Sequence, residues 1–183
     1  MADFEAWQAV FDEHAPSRAR AGYLGHYIKR GIDDPDRVFV YSLGNDADAL
    51  RAYLEGDELE ATLRNAGVED EPTHIVMRPM SRNLVSGRML PGIIVVHDVE
   101  DYDRWRIEYD AFEDFRRRSG IIGHAVSRSL DAPDRVVVYH QANEVGDLRA
   151  FVESDELRDA MHEAGVVGEL DIHYIRVVGF ADY

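Results

Sequence analysis

The chain has no cysteine, a single lysine (Lys29) and no apolar run that approaches the length of a membrane span. The first absence excludes disulfides, thiolate nucleophiles and Cys-ligated zinc or iron–sulfur centres. Basic blocks are missing as well: 20 Lys and Arg stand against 36 Asp and Glu, for a net charge of −16. A surface of that sign repels phosphates and anionic headgroups, so neither nucleic acid nor membrane is expected as a partner. The opening Met-Ala-Asp-Phe-Glu-Ala-Trp lacks the charged and then apolar layout of a secretion signal, and a cytoplasmic protein is expected. There is no glycine-rich phosphate loop, Gly-x-Ser-x-Gly elbow or dinucleotide fingerprint, and no cofactor is expected.

The main positive feature is a duplication. Residues 3–71 recur without a gap 98 positions later, and 28 of the 69 aligned pairs are identical. The identities include Trp7/Trp105, Arg18/Arg116, Gly22/Gly120, His26/His124, Arg30/Arg128, Tyr41/Tyr139 and the Pro-Asp-Arg-Val runs at 35–38 and 133–136. Each copy is near the lower size limit for independent folding. Two repeats, 1–90 and 91–183, are therefore expected to lean on each other through a shared buried face.

The second copy supplies the template. Gly92 to Asp98 is a β-branched run that reads as a strand. Asp101 caps a helix whose apolar stripe is Tyr102, Trp105, Tyr109 and Phe112, ending before Gly120. Strands Ile121 to Ser129 and Arg135 to Gln141 flank the turn Asp131-Ala132-Pro133-Asp134. A second helix follows from about Val145 to Ala164, with Ser154 as an internal cap and Gly165 closing it, and Asp171 to Val178 is the last strand. The order β-α-β-β-α-β is the ferredoxin-like unit. The first copy begins at its first helix and lacks the first strand. A hairpin strand over 83–90 is expected to fill the vacant place, the alternative being that 81–90 is a linker. The strands are apolar on both faces, Val38 and Val40 alternating with Phe39, Tyr41 and Leu43. The expected class is α+β, with two antiparallel sheets packed face to face as a single-chain pseudo-dimeric barrel.

Four segments of the second copy carry a family resemblance. They are Asp-Tyr-x-x-Trp (101–105), Gly-x-x-Gly-His (120–124), Asp-x-Pro-Asp-Arg-Val-x-Val (131–138) and Ala-Phe-x-x-Ser-x-Glu-Leu-Arg-x-Ala-Met-x-x-Ala-Gly-Val (150–166). This pattern resembles small proteins of the dimeric α+β barrel superfamily, in the antibiotic-biosynthesis monooxygenase-like group that often carries a cyclase label. It covers nearly all of the second copy and most of the first. The resemblance implies a site in the barrel lumen or a sheet–helix cleft. For activity it implies only a range: cofactorless monooxygenases, polyketide cyclases, haem-degrading enzymes and muconolactone isomerases. The haem-degrading pattern would align Phe151, Ser154, Leu157 and Ala160, placing Met161 where the haem-binding histidine stands. His162 is one residue late, about 100° around the helix, so haem is not expected.

His26 and His124 are the leading candidates, the same ionisable side chain at equivalent strand positions. Their strand faces are otherwise Leu24 and Ile28, or Ile122 and Val126. Partial burial there would tune an imidazole for general-base work, and a hydrogen-bonded structural role is the alternative. Arg30 and Arg128 lie two same-face steps along, placed either to hold a carboxylate or enolate oxygen or to pair with Asp33 and Asp131. Tyr41 and Tyr139 fall on the opposite parity and would present hydroxyls to an oxygenated ligand if that parity faces the lumen. His140 replaces Ser42, and one hairpin register, in which paired numbers sum to 264, sets it across from His124, whereas a slip of one residue would set Gln141 there. His97 and His173 add imidazoles without metal-ligand spacing, so no metal is expected. Catalysis thus falls to His124, His26, Tyr139 and Arg128, with ligand contacts from Tyr41, His140 and Arg30. His14, Trp7 and Trp105 read as packing.

The expected function is binding of a small, partly apolar, oxygenated organic ligand. A cofactor-independent cyclase, isomerase or monooxygenase-type step is one reading, and a non-catalytic binding or stress-response module is the other. The repeats would form an internal pseudo-dimer, with further homo-dimerisation left open.

Overall fold

A computed structural model of the chain describes residues 3–183. They fall into two compact units: unit 1 runs up to Val76 and takes in Val177–Tyr183, and unit 2 is Met77–Arg176. Unit 1 contains α1 (Phe4–Glu13), α2 (Ala15–Arg20), β1 (Tyr23–Gly31), β2 (Val38–Gly44), α3 (Ala47–Leu54) and α4 (Asp57–Asn65). Unit 2 contains β3 (Met77–Asn83), β4 (Pro91–Val99), α5 (Tyr102–Ala111), α6 (Glu113–Arg118), β5 (Ile121–Ser129), β6 (Arg135–Ala142), α7 (Val145–Glu153) and α8 (Asp155–Glu163). The long β7 (Val166–Asp182) begins in unit 2, and its residues from Val177 onward belong to unit 1. No helix among the described residues is long and apolar enough to cross a membrane.

Local chemistry sets the boundaries. Asp3 accepts hydrogen bonds from the backbone N–H groups of Glu5 and Ala6 at the start of α1, and Asp101 accepts one from Arg104 at the start of α5. Ser154 caps α8 by accepting from the Leu157 N–H, and so divides the expected long helix in two. Gly22 and Gly120 turn the chain from helix into strand at φ 87° and 85°, a backbone region that side chains with a Cβ rarely enter.

In unit 2 the strand order is β7-β4-β6-β5-β3, antiparallel at β4–β7, β4–β6, β5–β6 and β3–β5. Its first four members give the ferredoxin-like arrangement. One face packs against the helices through Val99, Trp105, Val126, Val136 and Val138 and through Ile93, Val95, Ile121, Leu148 and Phe151. In unit 1 the order is β2-β1-β7, and the core is Trp7, Ile28 and Ala66 with Phe4, Phe11 and Val178 around it.

The expected replacement strand does not form. Residues 84–90 carry no strand, and the strand that does appear, Met77–Asn83, pairs with β5 in unit 2. Residues 68–76 correspond to 166–174 of β7, where Val166, Val167 and residues 171–174 pair with β4. Among the described residues no strand stands in unit 1 where β4 stands in unit 2, and 68–76 joins no ladder. Pairing begins only at Met77, where β5 offers an edge.

A second departure concerns phase. Register shifts between Tyr23 and Gly25 and between Ile121 and Gly123 insert a bulge at the start of β1 and of β5. Tyr23 and Ile121 therefore take the buried positions, and Leu24, expected beside His26, is 50% exposed.

Candidate functional site

Both repeated histidines point into the layer between sheet and helices. Each meets the same frame, built by an arginine on the short second helix and an aromatic ring seven residues earlier. In unit 1, Arg18 donates through Nη1 to the carbonyl of Phe11 at 2.7 Å and lies over the Phe11 ring at 3.6 Å. In unit 2, Arg116 donates to the carbonyl of Tyr109 and lies over its ring at 3.9 Å. Both guanidinium groups are buried, so each ties the short second helix to the helix before it.

The two copies are finished differently. In unit 1 the phenol of Tyr183 fills the frame, accepting a hydrogen bond from Arg18 Nε and lying 2.7 Å from His26 Nδ1. Burial, then the Arg18 charge, holds the His26 pKa below its usual value, so the neutral ring accepts from the hydroxyl. The result is a closed relay with His26 only 4% exposed.

In unit 2 the position matching Tyr183 is Val85, which has no polar side-chain atom. Arg116 Nε is buried without a hydrogen-bond partner. His124 is half-buried beside Tyr109, ring centroids 6.0 Å apart. Burial and then Arg116 push its pKa down, with Glu113 opposing, so it is neutral near pH 7. The Tyr109 hydroxyl lies 3.3 Å from Nε2 of His140, a ring that burial drives down to about 3. The Tyr109 phenol itself is pushed up to about 12 by burial and remains protonated. Such a site can take a proton at His124 and hold an oxygen at Arg116.

The hairpin register sums to 264, with His124 across from His140. Tyr139 pairs with Ala125 in that register and therefore projects from the opposite face, away from His124. Its ring lies against Gly92, where an added Cβ would fall 2.3 Å from Cε2. Gly92→Ala is accordingly expected to displace the Tyr139 ring and cost about 1–3 kcal/mol in urea unfolding. An unchanged midpoint would mean that the ring does not occupy that space.

Arg128 shares the His124 face but sits at the far end of β5, donating to the Pro133 carbonyl and lying 4.3 Å over the Tyr102 ring. Arg30 repeats this with the Pro35 carbonyl at 2.7 Å and the Phe4 ring at 4.3 Å. Both clamp their hairpin turns through backbone carbonyls, and Arg128 also lies 3.9 Å from the Asp134 carboxylate. Tyr41 pairs with Tyr27 on the face away from the helices, 5.5 Å from the Lys29 ammonium. Catalytic candidates His124, Tyr139 and Arg128 are thus not brought together; His124 and His140 are. His97 lies on the helix side against Trp105, while His173 pairs with Ile94 on the other face. Among the described residues no group of three or more His, Asp or Glu converges on a metal position.

Several solved structures share this architecture. An anthrone oxidase-like protein aligns over 98% of this chain and 88% of its own, with a TM-score of 0.67 and 18% identity. A "putative monooxygenase" of Lactobacillus acidophilus aligns over 97% and 87%, with a TM-score of 0.58 and 11% identity. Its namesake from Fusobacterium nucleatum aligns over 100% and 92%, with a TM-score of 0.59 and 9% identity. The chain has their α+β fold. No family model and no curated protein matches the sequence.

Three contributors, Arg116, Tyr109 and Tyr183, do not stand out in the sequence. The signal for two of them was available: an arginine seven residues after an aromatic, one helical face, in both copies. Tyr183 has no such signal, because it reaches His26 across 157 positions of sequence.

Proposed function

We propose that the protein belongs to the dimeric α+β barrel superfamily and binds a small, partly apolar, oxygenated organic molecule against His124 and Arg116 of unit 2. The observation that carries this reading is Arg116 Nε, sealed from water without an acceptor, beside a neutral and half-buried imidazole. A buried charged donor left unpaired is costly, and a ligand oxygen would relieve it. In a catalytic reading, His124 takes the proton of an O–H, or of a C–H next to a carbonyl, and the negative charge left on oxygen faces Arg116. Cyclase, isomerase and monooxygenase-type reactions can all begin with that anion. The fold shared with an anthrone oxidase-like protein and with proteins named as monooxygenases supports the last of these.

A second reading, binding without turnover, is favoured by unit 1. There the same arginine, ring and histidine are kept although Tyr183 closes them off, so the frame persists where no catalysis is served.

Native mass spectrometry of the protein as purified tests the site. A noncovalent small-molecule adduct is expected on the wild type and is expected to weaken by about tenfold or more in His124→Gln, the scale of one lost polar contact. An adduct indifferent to that substitution would place the ligand elsewhere. A turnover assay on the captured compound separates the two readings, since a general base loses rate as acid protonates His124.

A further inference from the structure

The two frames differ at one decisive atom. In unit 1 the Arg18 Nε has an acceptor, the hydroxyl of Tyr183; in unit 2 the corresponding Arg116 Nε has none. The match of surroundings is close. Gly25 lies against the backbone carbonyl of Ala181 and Gly123 against that of Asn83, residues that are themselves 98 positions apart. The tails carrying Tyr183 and Val85 thus follow the same strand edge in each unit, Tyr183 donating through its backbone N–H to the Leu24 carbonyl and Val85 to the Gln141 side chain. Only one of them brings a phenol.

We propose that Tyr183 is an internal ligand, and that unit 1 therefore displays in occupied form what unit 2 takes from solution: a phenolic hydroxyl held between Arg116 and His124. The proposal rests on the site reading above and names its ligand class. The chemistry is specific to a hydroxyl on an aromatic ring. The oxygen accepts from guanidinium, as that of Tyr183 does from Arg18, while its proton is given to imidazole nitrogen, as at His26 Nδ1. The ring behind it packs on the arginine and histidine planes, as the Tyr183 ring does at 5.3 Å from the Arg18 carbon and 5.4 Å from the His26 centroid. An ether accepts but cannot donate, and an aliphatic alcohol lacks the flat face. In unit 2 the aromatic wall is Tyr109, whose own hydroxyl is turned to His140 and leaves Arg116 Nε unmet.

The test uses p-cresol, which is the tyrosine side chain itself, with 4-methylanisole as the matched ether, on the full chain. Calorimetry is expected to show one equivalent of p-cresol on the wild type and two on Tyr183→Ala, the ether binding at least about tenfold more weakly to both, as for one lost hydrogen-bond donor. Proton and nitrogen NMR should show p-cresol shifting the His124 ring in the wild type and leaving His26 unmoved. That readout needs no variant and decides the matter if Tyr183→Ala does not fold. Equal affinity for cresol and ether, a single equivalent on Tyr183→Ala, or a wild-type shift at His26 instead of His124 would each overturn the proposal. If p-cresol does not bind but a captured adduct still depends on His124, the site stands and the phenol assignment falls. If neither occurs, both fall.

Discussion

Between pH 7 and pH 4.5 the protein is expected to lose ~5 kcal/mol of folding stability, a large part of what a chain of this size possesses. Two imidazoles are responsible. His97 is 5% exposed, packed on Trp105 with both ring nitrogens unpartnered, and burial drives its pKa down to about 4. His140 is equally enclosed and is driven down to about 3 by burial, then by the charge of Arg116. In the unfolded chain both titrate near 6.5. Above that value neither state binds the proton and the full stability is present. As pH falls below it the unfolded chain takes up protons that the folded state refuses, and stability drops by ~1.4 kcal/mol per pH unit for each ring. The loss continues until pH passes the folded values near 4 and 3. His26, His74 and His124 are shifted in the same direction, so they steepen the fall.

Urea midpoints measured at half-unit steps of pH check this. His97→Leu should flatten the slope by about one proton, and should stabilise the protein even at pH 7, because it replaces two unsatisfied buried nitrogens by apolar atoms of similar size. A midpoint that does not move between pH 7 and pH 5 would show that these rings are not held neutral in the interior.

What proved legible in the sequence was local or repeated. The caps at Asp101 and Ser154, the element order of the second copy and the register that sets His124 across from His140 all follow from short-range pattern. Strand phase was less secure. One bulged residue, at Leu24 and again near Ile122, reverses which neighbour is buried, and no residue type announces it. The association of Tyr139 and Arg128 with His124 failed for a related reason. Parity separates Tyr139 from His124 onto opposite faces, and distance along β5 commits Arg128 to its own turn. Tyr183, which closes unit 1, and Met77–Asn83, which pairs with β5, are placed by contacts far apart in the sequence. Their places depend on which ladder is left unfilled, a property of the folded chain.

Trp105→Ala is expected to cost ~4 kcal/mol, the range found when a buried indole is emptied from a core. Trp105 is 3% exposed and touches three aromatic neighbours. Ring centroids lie 4.9 Å from Tyr109, 5.8 Å from Tyr102 and 5.6 Å from His97. Trp7→Ala should cost a similar amount, since Trp7 is 5% exposed and stacks between Phe4 and Phe11 at 5.7 and 5.0 Å. The two differ in what else they release. Behind Trp105 stands Tyr109, which holds His140 through its hydroxyl and carries Arg116 on its ring. Loss of that support should move the His124 titration as well as the unfolding midpoint. Trp7→Ala should leave His124 unchanged and loosen Phe11, on which Arg18 rests. Trp105→Phe keeps a stacked ring and should recover most of both effects. Urea unfolding together with NMR titration of His124 reads the pair. If Trp105→Ala costs less than about 1 kcal/mol, or shifts His124 no more than Trp7→Ala does, then the aromatic stack does not set the geometry around Arg116.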